Sequence, residues 1–248
     1  MYMDYQSRYR EIDTVRGVAI LMMVLFHTLF DLNFFSVFSV SVSSGFWRSF
    51  AYATASLFLL VAGISLTISR AKMPPQVSRY KVIRKFFLRG AGIFLLGLLV
   101  TLCTWIYLKE SFIVFGILHL IGVSVMLSPL FFGLKKRAVL LGLLCIFAGY
   151  ILSTLNGPTW LLWLGIHPAS FWSVDYEPLF PWLGCVLIGM GLGEYLYPGG
   201  VRQFVVPDAP AIIARPLAFL GRNSLVIYLI HQPVIILLLA AITGINVL

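Results

Sequence analysis

Long apolar stretches, each of the length that crosses a membrane as a helix, make up most of this chain. A helix needs about 20 predominantly apolar residues to span the hydrocarbon core of a bilayer. Only 11% of the 248 residues are charged, whereas a soluble domain carries about 25%. The sequence therefore predicts an all-α integral membrane protein, a bundle of about seven transmembrane helices. The predicted spans lie at about 12–32, 46–69, 88–108, 112–132, 138–155, 178–197 and 222–245.

The basic residues lie almost entirely on one side of these predicted spans. With the N-terminus in the cytoplasm, 16 of the 18 Lys and Arg residues flank cytoplasmic ends, and only Arg48 and Lys109 flank outer ends. This bias predicts a cytoplasmic N-terminus and an outer C-terminus. No small-residue cleavage site follows the first apolar stretch, so we expect that stretch to remain as an anchor in the cell membrane. The short connections predict a single domain over residues 1–248.

Neither the net charge nor the cysteines indicate a nucleic-acid-binding or metal-binding protein. The net charge of +9 comes mainly from the membrane flanks, and no basic run with interleaved aromatic residues lies outside them. Cys103, Cys145 and Cys185 lack the spacing of a metal site, and each lies in an apolar run. We expect them to be buried free thiols.

Two further patterns concern packing. Gly189 and Gly193 form a G-x-x-x-G pattern, which allows close helix contact either inside the bundle or between copies in a homo-oligomer. Four tryptophans near predicted outer ends indicate an interfacial aromatic belt or, as the less favoured interpretation, the rim of a cavity. They are Trp160, Trp163, Trp172 and Trp182.

His27 and Asp31 are the residues of the first predicted span that most suggest a function. They are four residues apart, so a helix places both on one face, one turn apart. Imidazole and carboxylate groups are costly among lipids, so their presence there is a functional-site hypothesis. The alternative is that His27 only forms a hydrogen bond to a neighbouring helix. The nearby carboxylate and three further histidines favour the functional interpretation.

Other titratable groups are predicted in the same outer half of the membrane. His119 lies about two turns into the fourth predicted span, at a depth comparable to that of His27. Asp175 and Glu177 precede the sixth span. These groups are candidates to converge on an outward-facing cavity. His231 lies about 13 Å into the last span, two residues before a proline, and a structural role beside that proline is the favoured interpretation.

The predicted cytoplasmic side carries more positive charge than orientation requires. Seven basic residues lie between positions 70 and 89. A phosphate-bearing ligand would use such groups, and the start of the last span is the better candidate site because it is a helix N-terminus. Attraction of anionic lipid is the alternative. The residues predicted to bind phosphate are Arg16, Arg84, Lys85, Arg222, Asn223 and Ser224.

Three blocks of the sequence, taken in order, carry a family resemblance. They are residues 10–27 (REIDTVRGVAILMMVLFH), 115–122 (FGILHLIG) and 221–231 (GRNSLVIYLIH). Together they resemble the heparan-α-glucosaminide N-acetyltransferase-like family of transmembrane acyltransferases. The resemblance departs at two points. The lysosomal member has asparagine where His27 falls, and its proposed catalytic histidine lies in the loop after the first span, whereas this chain has no histidine between His27 and His119. The acyl-carrying role of that histidine therefore cannot be copied to this chain.

The resemblance implies an acyl-CoA-dependent membrane acyltransferase with acetyl-CoA as the expected donor. The acyl group would pass from the cytoplasm to an amine or hydroxyl acceptor, such as that of a cell-envelope sugar, at the outer side. In this hypothesis His27 is the general base, Asp31 orients it or holds its charge, and His119 is a second base or binds the acceptor. The alternatives are a proton-coupled transporter, with the histidines as a proton path, and a non-catalytic membrane subunit.

Overall fold

The structure, a computed structural model, describes residues 8–207 and 210–244 and is dominated by helices. Three short 3-10 segments lie between the α-helices, at Phe132–Arg137, Thr159–Leu164 and Pro198–Gly200. β-structure in the described ranges is limited to isolated bridges. The α-helices of these ranges are α1 (Arg10–Phe34), α2 (Gly45–Ala71), α3 (Arg79–Leu108), α4 (Ile117–Phe131), α5 (Ala138–Leu152), α6 (Leu179–Leu196), α7 (Ala211–Arg222) and α8 (Ser224–Thr243).

Six stretches of the described chain are long and apolar enough to cross a membrane. They are α1, α2, α3, α6, α8 and the 36-residue stretch Ile117–Leu152, which contains α4 and α5. These stretches confirm the prediction of an all-helical, multi-pass membrane protein. The count of seven spans and the orientation of the termini stay predictions. Residue 245, at the end of the last predicted span, lies outside the described residues.

The stretch Ile117–Leu152 is two helices that run in opposite directions. Lys135 has φ 47° and ψ −128°, which breaks the helix between α4 and α5. Phe115, just before α4, pairs with Tyr176, just before α6. Gly149, near the end of α5, packs against Pro181 in the first turn of α6. Helix α4 therefore begins, and α5 ends, beside the start of α6.

The described residues form two compact units, each of which is treated by itself. The first takes in the described parts of 1–58 and 205–248, and the second is 59–204. Helix α2 begins in the first unit and ends in the second. The single domain predicted from the sequence stays a prediction.

In the first unit, α1 packs closely against α7 through glycines. Gly17 lies against the backbone of Leu217, and Gly221 lies against the backbone of Asp13, so neither position has room for a side chain. Because residue 13 pairs with 221 and residue 17 with 217, the two helices are antiparallel. This contact fixes α7, and with it the start of α8, beside the first turns of α1.

In the second unit, glycines bring α6 against the end of α2. Gly189 lies against the backbone of Leu60, and Gly193 lies within 3.3 Å of Ile64 measured from an ideal Cβ position. The Thr67 hydroxyl donates to the carbonyl oxygen of Met190 at 2.9 Å. The G-x-x-x-G pattern therefore serves contacts inside this chain, one of the two uses that the sequence left open.

Helix α3 also packs against α4 through small residues, in an antiparallel arrangement. Gly90 contacts Gly122, and Gly97 contacts His119. Helix α3 begins nine residues earlier than the predicted span, which starts at about 88, because polar residues extend the helix beyond its apolar part. Its first turn is capped by Ser78, whose hydroxyl accepts a hydrogen bond from a backbone N–H at 3.4 Å.

Three sequence expectations need correction. Helix α7 was not predicted, because it is only 12 residues long and contains Pro216. Cys103 is exposed rather than buried, because it lies on the face of α3 that points away from α4, and none of the three cysteines forms a disulfide in the described structure. Trp182 is 9% exposed and lies in the core, whereas the other three tryptophans of the predicted belt are exposed.

Candidate active site

In the first unit, a histidine of α1 and a histidine of α8 face each other. The ring centroids of His27 and His231 are 4.8 Å apart, and their planes are inclined by 67°. His231 is 9% exposed, and His27 is partly exposed. The structure therefore places His231, for which a structural role was the favoured interpretation, directly beside the candidate base.

The hydrogen bonds of the two rings assign their protons. The Nδ1 atom of His27 lies 3.0 Å from the carbonyl oxygen of Met23, and that of His231 lies 2.6 Å from the carbonyl oxygen of Tyr228. A carbonyl oxygen only accepts, so each Nδ1 carries a proton, and each Nε2 of a neutral ring is an acceptor. The Nε2 of His231 is buried without a partner, and the Nε2 of His27 has no partner among the described residues.

Asp31 is held by α8 and not by His27. It is 2% exposed, and both of its carboxylate oxygens accept from the Nε2 amide nitrogen of Gln232, at 2.7 and 2.9 Å. A carboxylate accepts and does not donate when ionised, so it fixes which end of the Gln232 amide faces it. Asp31 forms no hydrogen bond to the His27 ring in the described structure, because the ring's Nδ1 is bonded to the Met23 carbonyl oxygen instead. The predicted role of Asp31 in orienting that ring therefore lacks a direct contact.

The site in the first unit has more acceptors than donors. With its nitrogen turned to Asp31, Gln232 leaves its Oε1 buried without a partner, as is the Nε2 of His231. The Nε2 of His27, which is partly exposed, is a further acceptor with no partner among the described residues. Buried acceptors without donors are rare in proteins, so the two buried atoms are candidates to accept from a substrate group. The sequence reasoning missed Gln232; the available signal was a pair of adjacent polar residues, 231 and 232, inside a strongly apolar helix.

His119, in the second unit, is bonded at both ring nitrogens. Its Nδ1 accepts the backbone N–H of Gly116 at 3.2 Å. Its Nε2 lies 3.4 Å from the hydroxyl oxygen of Thr101, which in turn donates to the carbonyl oxygen of Ile113 at 2.7 Å. The ring is 2% exposed. His119 therefore ties the start of α4 to α3, and neither nitrogen is left for a substrate.

Asp175 and Glu177 lie close to the same end of α4. Asp175 accepts the backbone N–H of Ile117, and its Oδ2 fills the space where a side chain at Gly116 would stand. Burial raises the pKa of Asp175 to about 6, partly offset by that hydrogen bond. Burial and the nearby Asp175 charge raise the pKa of Glu177 well above its ordinary value. The Oε2 of Glu177 is buried and has no partner.

The titratable groups predicted to meet in one cavity are thus divided between the two units. In the first unit, the structure brings His27 and Asp31 together with two residues of α8. In the second unit, it brings His119, Asp175 and Glu177 to the start of α4.

Four of the six predicted phosphate-binding residues gather where α1 meets α7. The Arg16 Nη1 donates to Asp13 at 3.1 Å and points to the carbonyl oxygen of Gly221 at 3.5 Å. Asp13 is buried and also pairs with Arg8 at 3.1 Å. Gly221 directly precedes the three other residues, Arg222, Asn223 and Ser224, and α8 begins at Ser224.

The remaining two predicted phosphate-binding residues, Arg84 and Lys85, lie on α3. Both are exposed and belong to the second unit.

Comparison with known proteins places this arrangement in a family. The family model described as heparan-alpha-glucosaminide N-acetyltransferase, catalytic, matches residues 8–233, which include both histidines of the first unit and Gln232. No curated protein and no solved structure matches the chain. The match covers most of the chain and confirms the resemblance of the three sequence blocks. The chain therefore belongs to the heparan-alpha-glucosaminide N-acetyltransferase catalytic domain family.

Proposed function

We propose that the protein is a membrane acetyltransferase that transfers an acetyl group from cytoplasmic acetyl-CoA to a primary amine on the outer side of the cell membrane. Seven spans with the N-terminus in the cytoplasm are part of the proposal. The opposite directions of α4 and α5 support the span count, and the 16-to-2 division of basic residues supports the orientation. The observation that carries the proposal is the pair of unpartnered imidazole nitrogens at His27 and His231.

His27 is the general base in this proposal. Its Nδ1–H is held by the Met23 carbonyl oxygen, which leaves Nε2 as the basic atom. The Nε2 removes a proton from the acceptor nitrogen as that nitrogen attacks the thioester carbonyl carbon. The new C–N bond forms, the C–S bond breaks, and the leaving thiolate takes up a proton, so that free thiol and amide are the products. A positioned base contributes about 10²–10⁴-fold to such a step.

His231 and Gln232 supply further acceptors for the same substrate group. A primary amine offers two N–H donors, whereas a hydroxyl offers one. The paired Nε2 atoms of His27 and His231 therefore fit an amine better than a hydroxyl, and the Oε1 of Gln232 can accept from a neighbouring group. Asp31 acts through Gln232, because its carboxylate holds the amide nitrogen and leaves the oxygen unpartnered.

The donor's phosphates are assigned to the start of α8 and to Arg16. Arg222 is exposed and lies beside the first turn of α8, whose backbone N–H groups attract anions. From Ser224, the first residue of α8, to His231 is seven residues, or about 10 Å along that helix. An elongated thioester with its phosphates beside the start of α8 would therefore have to extend at least about that far to reach the histidines. Replacing Arg222 with Gln should weaken acetyl-CoA binding in a salt-dependent way, measurable by calorimetry.

The proposal is tested by acetyl transfer in purified protein held in lipid nanodiscs. Deuterated acetyl-CoA is supplied with glucosamine or with glucose, which differ at one amine, and products are followed by mass spectrometry. We expect labelled N-acetyl product from glucosamine only, and its loss in His27→Ala protein. His167→Ala is the matched control, because His167 lies in a connection of the second unit and its Nδ1 is bonded to a backbone carbonyl oxygen.

Two results would contradict the assignment. One is unchanged transfer by folded His27→Ala protein, which would remove His27 as the base. The other is uptake of an amine into liposomes without any acyl donor, which would favour the transporter alternative.

A further inference from the structure

One face of α3 carries a ladder of positive charges that the proposed chemistry does not use. Lys81, Lys85 and Arg89 are spaced four residues apart, so they lie on one face at intervals of about 6 Å along the helix. Arg84 lies beside them. All four side chains are exposed. We call Lys81, Lys85 and Arg89 the α3 ladder.

No residue of the α3 ladder forms an ion pair with a described residue. The sequence contains no Asp or Glu from position 32 to position 109. The charges of the ladder are therefore available to an external anion.

The same face becomes apolar directly beyond the ladder. Leu88, Leu95 and Leu99 are 56%, 63% and 51% exposed; Leu88 directly precedes Arg89, and Leu95 and Leu99 follow it along the helix. Gly92 lies between them, and a Cβ atom added there would meet no atom within 4 Å. The opposite face of α3 is the one that packs against α4, through Gly90 and Gly97. The exposed face is thus cationic at one end, notched at Gly92 and apolar beyond.

Arg89 lies where the polar start of α3 meets its apolar part. It is the second residue of the span predicted to start at about 88, and exposed Leu88 precedes it. A long basic side chain near the end of a membrane-spanning stretch reaches the anions at the membrane surface. A lipid phosphate is the anion that lies at the membrane surface with apolar chains attached, which matches the order of charge and leucine along this face.

We propose that this face of α3 is a binding site for an anionic phospholipid. The α3 ladder and Arg84 hold the headgroup phosphate, and one acyl chain lies over the notch at Gly92, between Leu88 and Leu95. This assignment gives Arg84 and Lys85 to a lipid and not to the acyl donor. It does not depend on the acetyl-transfer proposal, because it concerns a different ligand on a different helix.

The test begins with purified protein in nanodiscs of phosphatidylcholine with 20% phosphatidylglycerol. The protein is released from the nanodiscs, and native mass spectrometry measures how much phosphatidylglycerol it retains. The Lys81→Gln/Lys85→Gln variant removes two charges from the ladder. The matched control, Lys135→Gln/Arg137→Gln, removes two charges from the other short basic connection of the second unit. We expect about a tenfold loss of retained phosphatidylglycerol in the ladder variant and less than a twofold loss in the control.

Three outcomes would overturn the site. Equal losses of phosphatidylglycerol in the two variants would show only the general attraction of a basic protein to acidic lipid. No loss in the folded ladder variant would remove the headgroup contact. Displacement of phosphatidylglycerol from the unmodified protein by acetyl-CoA would indicate that the α3 ladder binds the acyl donor instead of a lipid.

A second variant tests the acyl-chain contact while keeping every charge. Gly92→Leu fills the notch, and because the space there is open, the helix should fold with little disturbance. We expect phosphatidylglycerol to dissociate at least threefold faster from this variant. An unchanged rate would overturn the placement of the chain over Gly92.

Discussion

His27 and His119 are both histidines in apolar helices, and they differ in what their ring nitrogens contact. His119 has a partner at each nitrogen, Gly116 at one and Thr101 at the other, and it is almost completely buried. His27 uses only Nδ1, on a backbone carbonyl oxygen within its own helix, and faces a second ring with an unpartnered Nε2. An imidazole in a membrane helix therefore indicates chemistry only when one nitrogen is left for a substrate; when both are bonded, it supports the fold.

The largest expected effect is a difference in the rate of acetyl transfer between variants of His27 and of His119. His27→Gln should lower acetyl transfer by about 10²–10⁴-fold, because the replacement removes the base but keeps a polar side chain. His119→Gln should lower it by less than about tenfold. Both rates are measured at saturating acetyl-CoA, with the melting temperature as the control for folding. A greater loss of turnover in folded His119→Gln protein would reverse the comparison.

The next effect concerns the carboxylate of the His27 site. Gln232→Leu removes the donor to both oxygens of buried Asp31 and should destabilise the protein by about 2 kcal/mol, the scale for a lost hydrogen bond to a charged group. The measurement is the melting temperature in detergent. Gln203→Leu is the matched control, because Gln203 is exposed and should change stability little. Equal shifts in both variants would show that Asp31 does not depend on Gln232.

A smaller stability effect is expected at His119. His119→Ala should destabilise the second unit by about 1–2 kcal/mol, because the Gly116 N–H at the start of α4 loses its acceptor. Hydrogen exchange at the first turn of α4 is the measurement, and it should rise in this variant. The same variant should leave exchange at α8 unchanged. Faster exchange at α8 together with unchanged exchange at α4 would contradict the structural role.

The smallest expected effect is a local dependence on pH. The pKa values of Asp175 and Glu177 are raised in the folded state, so their neutral forms are favoured there. Such groups bind more protons folded than unfolded, and their contribution to stability is therefore lost as pH rises from about 4 through the raised pKa values. Hydrogen exchange of residues 156–177, corrected for its intrinsic rate, should be slower at pH 5 than at pH 8.

The matched variant for this pH effect is Glu177→Gln, which cannot ionise. Its exchange over residues 156–177 should change less between pH 5 and pH 8 than that of the unmodified protein. Faster exchange at pH 5 than at pH 8 in the unmodified protein would contradict the sign.

Much of the architecture was predictable because bilayer thickness fixes the length of a spanning helix. Helices α1, α2, α6 and α8 lie within a few residues of the predicted spans. Helix α7 was missed because a short helix with an internal proline has no such length constraint. His27 could be chosen as a candidate from the sequence, whereas Gln232 could not, because what distinguishes Gln232 is its contact with Asp31, 201 residues away in the sequence.

The sequence by itself determined that this protein is a multi-pass helical membrane protein, and its ordered blocks determined its family, because apolar length and local motifs are properties of contiguous residues. Only the tertiary structure decided which polar groups are satisfied. Whether an imidazole nitrogen or an amide oxygen finds a partner depends on which helix packs beside it and at what height. That pairing separates His27 and His231 from His119, and hydropathy and spacing do not encode it.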